Sequence, residues 1–162
     1  MSEIRLARPD EYVAVGALTI EAYSAGGVLV ADDDYATVLA DADGRAAVAE
    51  VYVLVDDAGS LVGTVTLSPH GTPYAQVSRP GELEFRMLAV DPKAGGQGYG
   101  TRLVAFCAER GRARGFAALV ICVIESNTSA LRLYDRLGFL RQPDRDKDAG
   151  PGVHLLTLTF AL

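Results

Sequence analysis

The sequence predicts an α/β (α+β) fold in which helices cover a mixed β-sheet, built as one domain over residues 1–162. Helical and strand-like patterns follow one another in the order β-α-α-β-β-β-α-β-α-β-β. A helical pattern at residues 98–114 separates the apolar strands predicted at 82–90 and 117–124. Such a crossover places its two strands parallel in one sheet. The length suits one domain with a core and is too short for two.

The remaining elements follow from periodicity and from turn residues. Helical spacing predicts further helices at residues 9–25, 33–48 and 126–137, the second of them opened by the acids Asp32, Asp33 and Asp34. Apolar or alternating runs predict further strands at residues 4–7, 51–55, 61–67, 139–140 and 153–162. Turn chemistry at 57–59 predicts a hairpin, prolines mark 68–81 as a loop, and 144–152 is a polar turn region.

Composition and charge narrow the classes of function. The chain is 49% apolar and carries a net charge of −6, which is typical of a folded soluble protein. A general nucleic-acid binder needs clusters of lysine and arginine, and the net negative charge argues against that function. No apolar stretch reaches the length of a membrane span, and the N-terminus lacks a signal-peptide core, which predicts a cytoplasmic protein. The negative charge is compatible with a cationic amine as substrate.

The two cysteines offer little chemistry on sequence grounds. Cys107 and Cys122 each lie in an apolar run, which predicts buried, reduced thiols. A cysteine nucleophile needs a nearby histidine, and His70 and His154 are distant in sequence. No spacing of cysteine, histidine and carboxylate residues matches a metal site, so no metal is expected.

The most informative segment is the glycine-rich turn between the strand at 82–90 and the helix at 98–114. Gly95, Gly96, Gly98 and Gly100 lack β-carbons, so the backbone can approach a ligand closely and adopt positive φ angles. The first turn of the helix adds free N–H groups and partial positive charge, which together suit a pyrophosphate. The spacing fits neither the Rossmann fingerprint nor a Walker A loop. A tight turn without a ligand is the alternative.

This segment resembles the acetyl-CoA-binding motif of the GNAT superfamily of N-acetyltransferases, written (Arg/Gln)-x-x-Gly-x-(Gly/Ala). Gly98 and Gly100 match its last two fixed positions, whereas Gly95 stands where the family commonly has Arg or Gln. The stretch from Asn127 to Phe139 resembles the family's Asn-x-x-Ala-x-x-x-Tyr-x-x-x-Gly-Phe helix. The resemblance covers essentially the whole chain. It implies a mostly antiparallel, twisted sheet with one parallel βαβ unit and helices on both faces.

The resemblance also implies acetyl-CoA as cosubstrate. In the family, the strand ending at Val90 splays from the one beginning near Ala117, and pantetheine pairs with the exposed backbone as an added strand would. The N–H of Leu88 is then a candidate oxyanion donor. The implied cofactor-binding residues are Leu88, Ala89, Val90, Gly95, Gly96, Gln97, Gly98, Tyr99, Gly100, Thr101, Asn127 and Tyr134.

Acetyl transfer to an amine needs a base for the amine and a stabilised oxyanion, and the leaving thiolate needs a proton donor. The resemblance aligns Glu84 with the strand glutamate that serves as base in some members, often through water. A structural carboxylate paired with Arg86 is the alternative for Glu84, and Glu82 is the second candidate base. Strict alternation along this strand places five side chains on one face: Glu82, Glu84, Arg86, Leu88 and Val90.

The candidate acid is Tyr134, because the family's helix tyrosine typically reaches the sulfur of CoA. Its spacing with Ala130 and Leu137 also fits a packing residue, which is the alternative. Asn127 stands at a helix start and is predicted to be its N-cap, with a contact to pantetheine added by the resemblance.

The sequence thus predicts an acetyl-CoA-dependent N-acetyltransferase that modifies the primary amine of a small molecule or peptide by direct attack in a ternary complex. A catalytically silent CoA-binding or sensor domain is one alternative. An acyltransferase for another acyl-CoA or for a protein N-terminus is the other. The resemblance implies that residues 23–34 and 68–81 roof the acceptor pocket, whose acceptor is left open. The apolar C-terminal strand is compatible with a homodimer.

Overall fold

The computed structural model describes residues 1–29 and 34–162, which form one eight-stranded sheet with helices on both faces. Its strands run in the spatial order β1-β2-β3-β4-β5-β8-β6, with β7 paired to β8. The β4–β5 pair is parallel and the other described pairs are antiparallel, which confirms the predicted mixed sheet. The strands are β1 (Glu3–Leu6), β2 (Glu50–Val55), β3 (Leu61–Pro69), β4 (Glu82–Val90), β5 (Ala118–Ile124), β6 (Leu140–Arg141), β7 (Lys147–Asp148) and β8 (His154–Ala161).

The helices are divided between the two faces of the sheet. They are α1 (Tyr12–Ala25), α2 (Tyr35–Ala40), α3 (Ala42–Val48), α4 (Tyr99–Ala113) and α5 (Thr128–Arg136). On β2, Val53 packs with α1 and α3, whereas its neighbours Tyr52 and Leu54 pack in the core that includes α4 and α5. Successive strand residues point to opposite faces. The two groups of helices therefore cover opposite sides, as predicted.

The single helix predicted over residues 33–48 is wrong, because the chain forms two helices, α2 and α3, that meet at Asp41. Asp41 leaves the helical conformation, with φ −83° and ψ 62°, and its carboxylate accepts a hydrogen bond from the N–H of Gly44 at 2.9 Å. A side-chain cap of this kind starts a new helix. Asp34 precedes α2 without a side-chain cap bond, and Asp32 and Asp33 lie outside the described residues.

The other predicted strands and α-helices occur close to their expected bounds, and the described residues contain one additional strand. The two-residue strand β7 lies in the segment predicted as a polar turn, and it pairs with β8. The strand β8 itself lies between β5 and β6, where Leu156 and Leu158 are buried by the chain's own core. The apolar character of this strand is therefore explained within one chain, and the homodimer stays a prediction.

Candidate active site

A β-bulge interrupts β4, the strand that carries most of the predicted site. Thr64 of β3 pairs with Ala89, and Thr66 pairs with Arg86, so two β4 residues lie opposite the single β3 residue between them. At this point Met87 has a φ of 54°, in the left-handed region that side chains rarely adopt. An extra residue on one strand is the definition of a bulge, and it bends the strand locally.

The bulge reverses the alternation of side chains along the second half of β4. Leu88 and Val90 pack on the side of the sheet that also takes Phe85, against α4 and α5. Met87 packs on the other side, with the cluster formed by α1 and α2. The predicted shared face is therefore wrong for Leu88 and Val90, because strict alternation ends where the extra residue is inserted.

The parallel strands β4 and β5 separate after a short stretch of pairing. Residues 82–84 of β4 pair with residues 118–120 of β5, and the register goes no further. The second half of β4 therefore has β3 on one side and an opening on the other. Backbone N–H and C=O groups along such an edge are free to bind another extended chain. The splay implied by the family resemblance is present here.

Two clefts meet at this opening. The glycine-rich cleft, of ≈ 470 Å³, lies between the end of β4, the glycine-rich turn and α5, and every predicted cofactor-binding residue lines it. The Arg86 cleft, of ≈ 390 Å³, lies between α1, α2, β4 and β5. Residues that line both clefts are Tyr23, Val28, Leu88, Asn127, Ala130 and Tyr134. The glycine-rich cleft, which is lined largely by the backbone of the turn, thus adjoins the smaller Arg86 cleft, which is lined mainly by side chains.

The glycine-rich turn needs glycine at two of its positions. Gly96 has a φ of 77° and Gly98 a φ of 76°, and a β-carbon disfavours this conformation. Gly98 directly precedes α4. The N–H groups of the first helical turn, from Tyr99 to Thr101, have no acceptor within a helix. A β-carbon on Gly100 would lie 3.3 Å from Leu133, so this position tolerates only a small residue.

Tyr134 lies where the two clefts meet and is 3% exposed. Its ring packs against Phe85 and Phe139, with ring centroids 5.9 and 5.2 Å apart. Burial raises the pKa of the Tyr134 hydroxyl well above its ordinary value, so the group stays protonated at neutral pH. Asn127, which lines both clefts, accepts a hydrogen bond from the N–H of Ala130 at 3.2 Å, which confirms the predicted N-cap of α5.

Residues 14–139 match the Acetyltransferase (GNAT) family. This chain belongs to the GNAT family. The match confirms the predicted family, and acetyl-CoA is the cosubstrate that this family uses.

Comparisons with individual proteins agree with this GNAT membership. A mycothiol acetyltransferase from Salinispora tropica is 42% identical over 88 residues, which are 54% of this chain and 27% of the relative. The chain spans between 17% and 30% of the length of the first curated relatives it matches. A GNAT acetyltransferase structure from Desulfovibrio desulfuricans has a TM-score of 0.76 at 19% identity over 99% of both chains. A Salmonella typhimurium structure with acetyl-CoA has a TM-score of 0.68 at 21% identity, over 100% of this chain and 94% of its own. These structures confirm the fold.

Two arginines in the glycine-rich cleft were not predicted from the sequence. Arg132 and Arg136 line this cleft from α5. They are four residues apart, so they lie on one face of the helix. Their only sequence signal is this spacing within the second GNAT motif, and the net charge of −6 gives no sign of a local cationic site.

Glu84, the candidate base, is fully buried and does not line either cleft. Its carboxylate accepts hydrogen bonds from the N–H groups of Gln76, Val77 and Ser78 at 2.9, 2.9 and 3.0 Å. These bonds fix the β3–β4 loop against the sheet. Among the described residues, no ion pair joins Glu84 to Arg86. The alternative prediction, a structural carboxylate paired with Arg86, is therefore wrong about the partner, because Glu84 binds backbone N–H groups instead.

Glu82, the second candidate base, is held by other partners. Arg145 donates to its carboxylate at 2.7 Å, and the N–H of Arg79 donates at 2.7 Å. Burial raises the pKa of Glu82, but the hydrogen bonds from Arg145 and Arg79 outweigh it and leave the pKa below its ordinary value. A carboxylate in this state is a weaker base.

The cysteines differ from each other in burial. Cys107 is buried as predicted, whereas Cys122 is partly exposed and lines the Arg86 cleft. Burial raises the pKa of both thiols, that of Cys122 to about 11. Both are therefore protonated at neutral pH, and a nucleophilic cysteine needs the thiolate. Within residues 1–29 and 34–162, no group of three or more His, Cys, Asp or Glu residues could hold a metal, and no helix is long and apolar enough to cross a bilayer.

Proposed function

We propose that this chain transfers the acetyl group of acetyl-CoA to the primary amine of a small molecule by direct attack in a ternary complex. The observation that carries the proposal is the junction of the two clefts at Tyr134. Direct transfer requires both reactants at one point, and a protein that holds them there gains rate from proximity alone. The glycine-rich cleft suits the long anionic cosubstrate, and the Arg86 cleft leaves room for an acceptor.

The glycine-rich cleft fits coenzyme A in its distribution of charge. The N–H groups of the first turn of α4 and the positive end of its dipole favour the diphosphate. Arg132 and Arg136 add two cations beside this turn. The open edge of β4 presents the backbone of residues 88–90 to the amide groups of pantetheine.

In the proposed reaction the amine nitrogen forms a bond to the acetyl carbon, and the bond from that carbon to sulfur breaks. Tyr134 donates a proton to the leaving sulfur, since its hydroxyl is protonated and the residue lines both clefts. The N–H of Leu88 stabilises the oxyanion. The amine's proton passes to a base. Glu84 stays the prediction for that base, although its present contacts favour a role in holding the loop.

The proposal is tested with purified protein in two steps. Calorimetry with CoA should show saturable binding, and free thiol should be released from acetyl-CoA only when an amine is added. Binding of CoA without release for any amine or acyl-CoA would favour the silent sensor domain. No uptake of CoA would contradict the proposal. The single domain, the cytoplasmic location and the homodimer stay predictions.

Gly95, which replaces the usual Arg or Gln of the GNAT motif, provides a gain-of-affinity prediction. Its φ of −64° is open to any residue, and a β-carbon there would lie 3.5 Å from the carbonyl oxygen of Pro92, an ordinary contact. We expect Gly95→Arg to bind CoA about 3- to 10-fold more tightly, because it adds a cation beside the diphosphate.

Gly95→Leu is the matched control, since it adds bulk without charge. Calorimetry with CoA at low and at high salt measures both variants, and the gain should shrink at high salt. Equal affinity of Gly95→Arg and Gly95→Leu would place the diphosphate elsewhere.

A further inference from the structure

The Arg86 cleft contains a guanidinium that uses few of its hydrogen-bond donors within the protein. Arg86 is half-buried and donates to the carbonyl oxygen of Tyr74 and to the hydroxyl oxygen of Tyr35, both at 3.3 Å. Both distances are long for hydrogen bonds. The Tyr74 ring lies beside it, with the centroid 5.9 Å from the guanidinium carbon. A guanidinium has five N–H donors, so donors of Arg86 remain for a ligand.

The described residues that line the cleft supply no anion for this cation. Within residues 1–29 and 34–162, no carboxylate forms an ion pair with Arg86. The described residues that line the cleft are otherwise apolar or neutral, as Gln76, Cys122 and Leu155 illustrate. A partly buried charge without a counter-ion is unfavourable, and an anionic ligand would relieve that cost.

A second buried cation lies behind the same wall. Arg45 is 0% exposed and donates to the carbonyl oxygens of Val38 and Leu39 at 2.9 and 3.0 Å. Burial raises the pKa of Tyr23, a residue of the cleft, while the charges of Arg86 and Arg45 both act to lower it. Two positive charges therefore act on this side of the cleft, which favours a negative group in the ligand.

We propose that the acceptor is an amine that also carries a carboxylate, such as an amino acid, and that Arg86 binds this carboxylate. The inference rests on the proposed acetyltransferase function and specifies its substrate class. A guanidinium matches a carboxylate with two parallel hydrogen bonds. Tyr134 lines the same cleft, so an acceptor held at Arg86 has its amine free to point to the junction. A polyamine or an aminoglycoside would place a further cation beside Arg86.

The rest of the cleft fits an amino acid of apolar side chain. Ile124, Val153 and Leu155 line it. The volume of ≈ 390 Å³ lies within the range of small-molecule sites. The side chain of the acceptor would bury apolar surface here, while its carboxylate and amine face Arg86 and the junction. This arrangement makes the carboxylate the main determinant of specificity.

The first test compares matched acceptors with the wild-type protein, acetyl-CoA and a thiol readout. The pairs are leucine with leucinamide, methionine with methioninamide and phenylalanine with phenylalaninamide, and spermidine is the polyamine. We expect kcat/KM to be about 10- to 100-fold higher for the amino acid of at least one pair. An amide has the less basic amine and so the larger nucleophilic fraction at neutral pH, which works against the expected result.

The second test uses variants of the cleft. Arg86→Gln should lower the ratio of kcat/KM between acid and amide by about 10- to 100-fold, and Arg86→Lys should give an intermediate ratio. Arg112→Gln, which removes an exposed cation from α4, is the control and should leave the ratio unchanged. Calorimetry with CoA reports whether each variant keeps the fold of the cofactor site.

The outcomes separate this inference from the function on which it rests. If kcat/KM for the amides and for spermidine equals that for the amino acids, the carboxylate site is overturned and the acetyltransferase function stands. A preference for the acid that persists in Arg86→Gln would do the same. Release of no thiol with any amine would overturn the acetyltransferase function and the carboxylate site together. If Arg86→Gln fails to fold, the comparison of amino acids with their amides in the wild-type protein still tests the carboxylate site.

Discussion

Replacing Tyr134 by phenylalanine is expected to lower kcat by about 100-fold or more while the affinity for CoA changes little. The variant removes one oxygen atom and keeps the ring that packs against Phe85 and Phe139. Because burial raises the pKa of the Tyr134 hydroxyl, the wild-type group is protonated at neutral pH and can supply the proton for the leaving sulfur. Without that donor the thiolate must leave unprotonated.

The measurement pairs kcat from thiol release with the dissociation constant of CoA from calorimetry. Tyr52→Phe is the matched control, since it removes the same atom from a tyrosine that lines neither cleft and bonds to Glu50 at 2.9 Å. Its kcat should equal that of the wild type. Equal losses of kcat and of CoA affinity in Tyr134→Phe would instead assign Tyr134 to binding.

The fold was largely predictable because periodicity and turn residues act locally. The order of strands and helices, the parallel β4–β5 unit and the N-cap at Asn127 all follow from spacing along the chain. Two predictions about the course of the backbone are wrong, and each depends on a single residue. The carboxylate of Asp41 divides one expected helix in two, and the bulge at Met87 inserts a residue that no periodic pattern marks.

The candidate site was predictable where it is made of backbone. The glycine spacing identifies a turn that any ligand must meet through N–H groups, and every residue predicted there lines one cleft. The cations were not predictable in the same way. The clefts bring together residues that are distant in sequence, and only there do Arg86, Arg132 and Arg136 form cationic sites. The net charge of −6 gives no indication of such sites. Local charge in a cleft is a property of the fold.

The role of Glu84 shows the same dependence on tertiary contacts, and a second substitution separates its two candidate roles. Glu84→Gln is expected to lower the free energy of unfolding by about 2–3 kcal/mol, or Tm by roughly 4–12 °C. Oε1 of the carboxylate accepts hydrogen bonds from the N–H groups of Gln76, Val77 and Ser78, and Oε2 accepts a second one from Gln76. An amide removes the charge that strengthens these bonds and turns an N–H donor towards at least the N–H of Gln76. Thermal unfolding of Glu84→Gln measures the effect, and Glu109→Gln, which changes an exposed acid of α4, is the control.

The loss of stability is expected whichever role Glu84 has, so the decision comes from kcat measured well below the Tm of the variant. If Glu84 only holds the β3–β4 loop, kcat should fall by less than about tenfold, and the KM of the acceptor should rise because Gln76 lines the Arg86 cleft. If Glu84 is the base, kcat should fall by about 100-fold or more, because general-base catalysis has that magnitude. An unchanged Tm would contradict the anchoring role, since the variant loses the charge that strengthens three buried bonds to the loop and places an N–H donor against the N–H of Gln76.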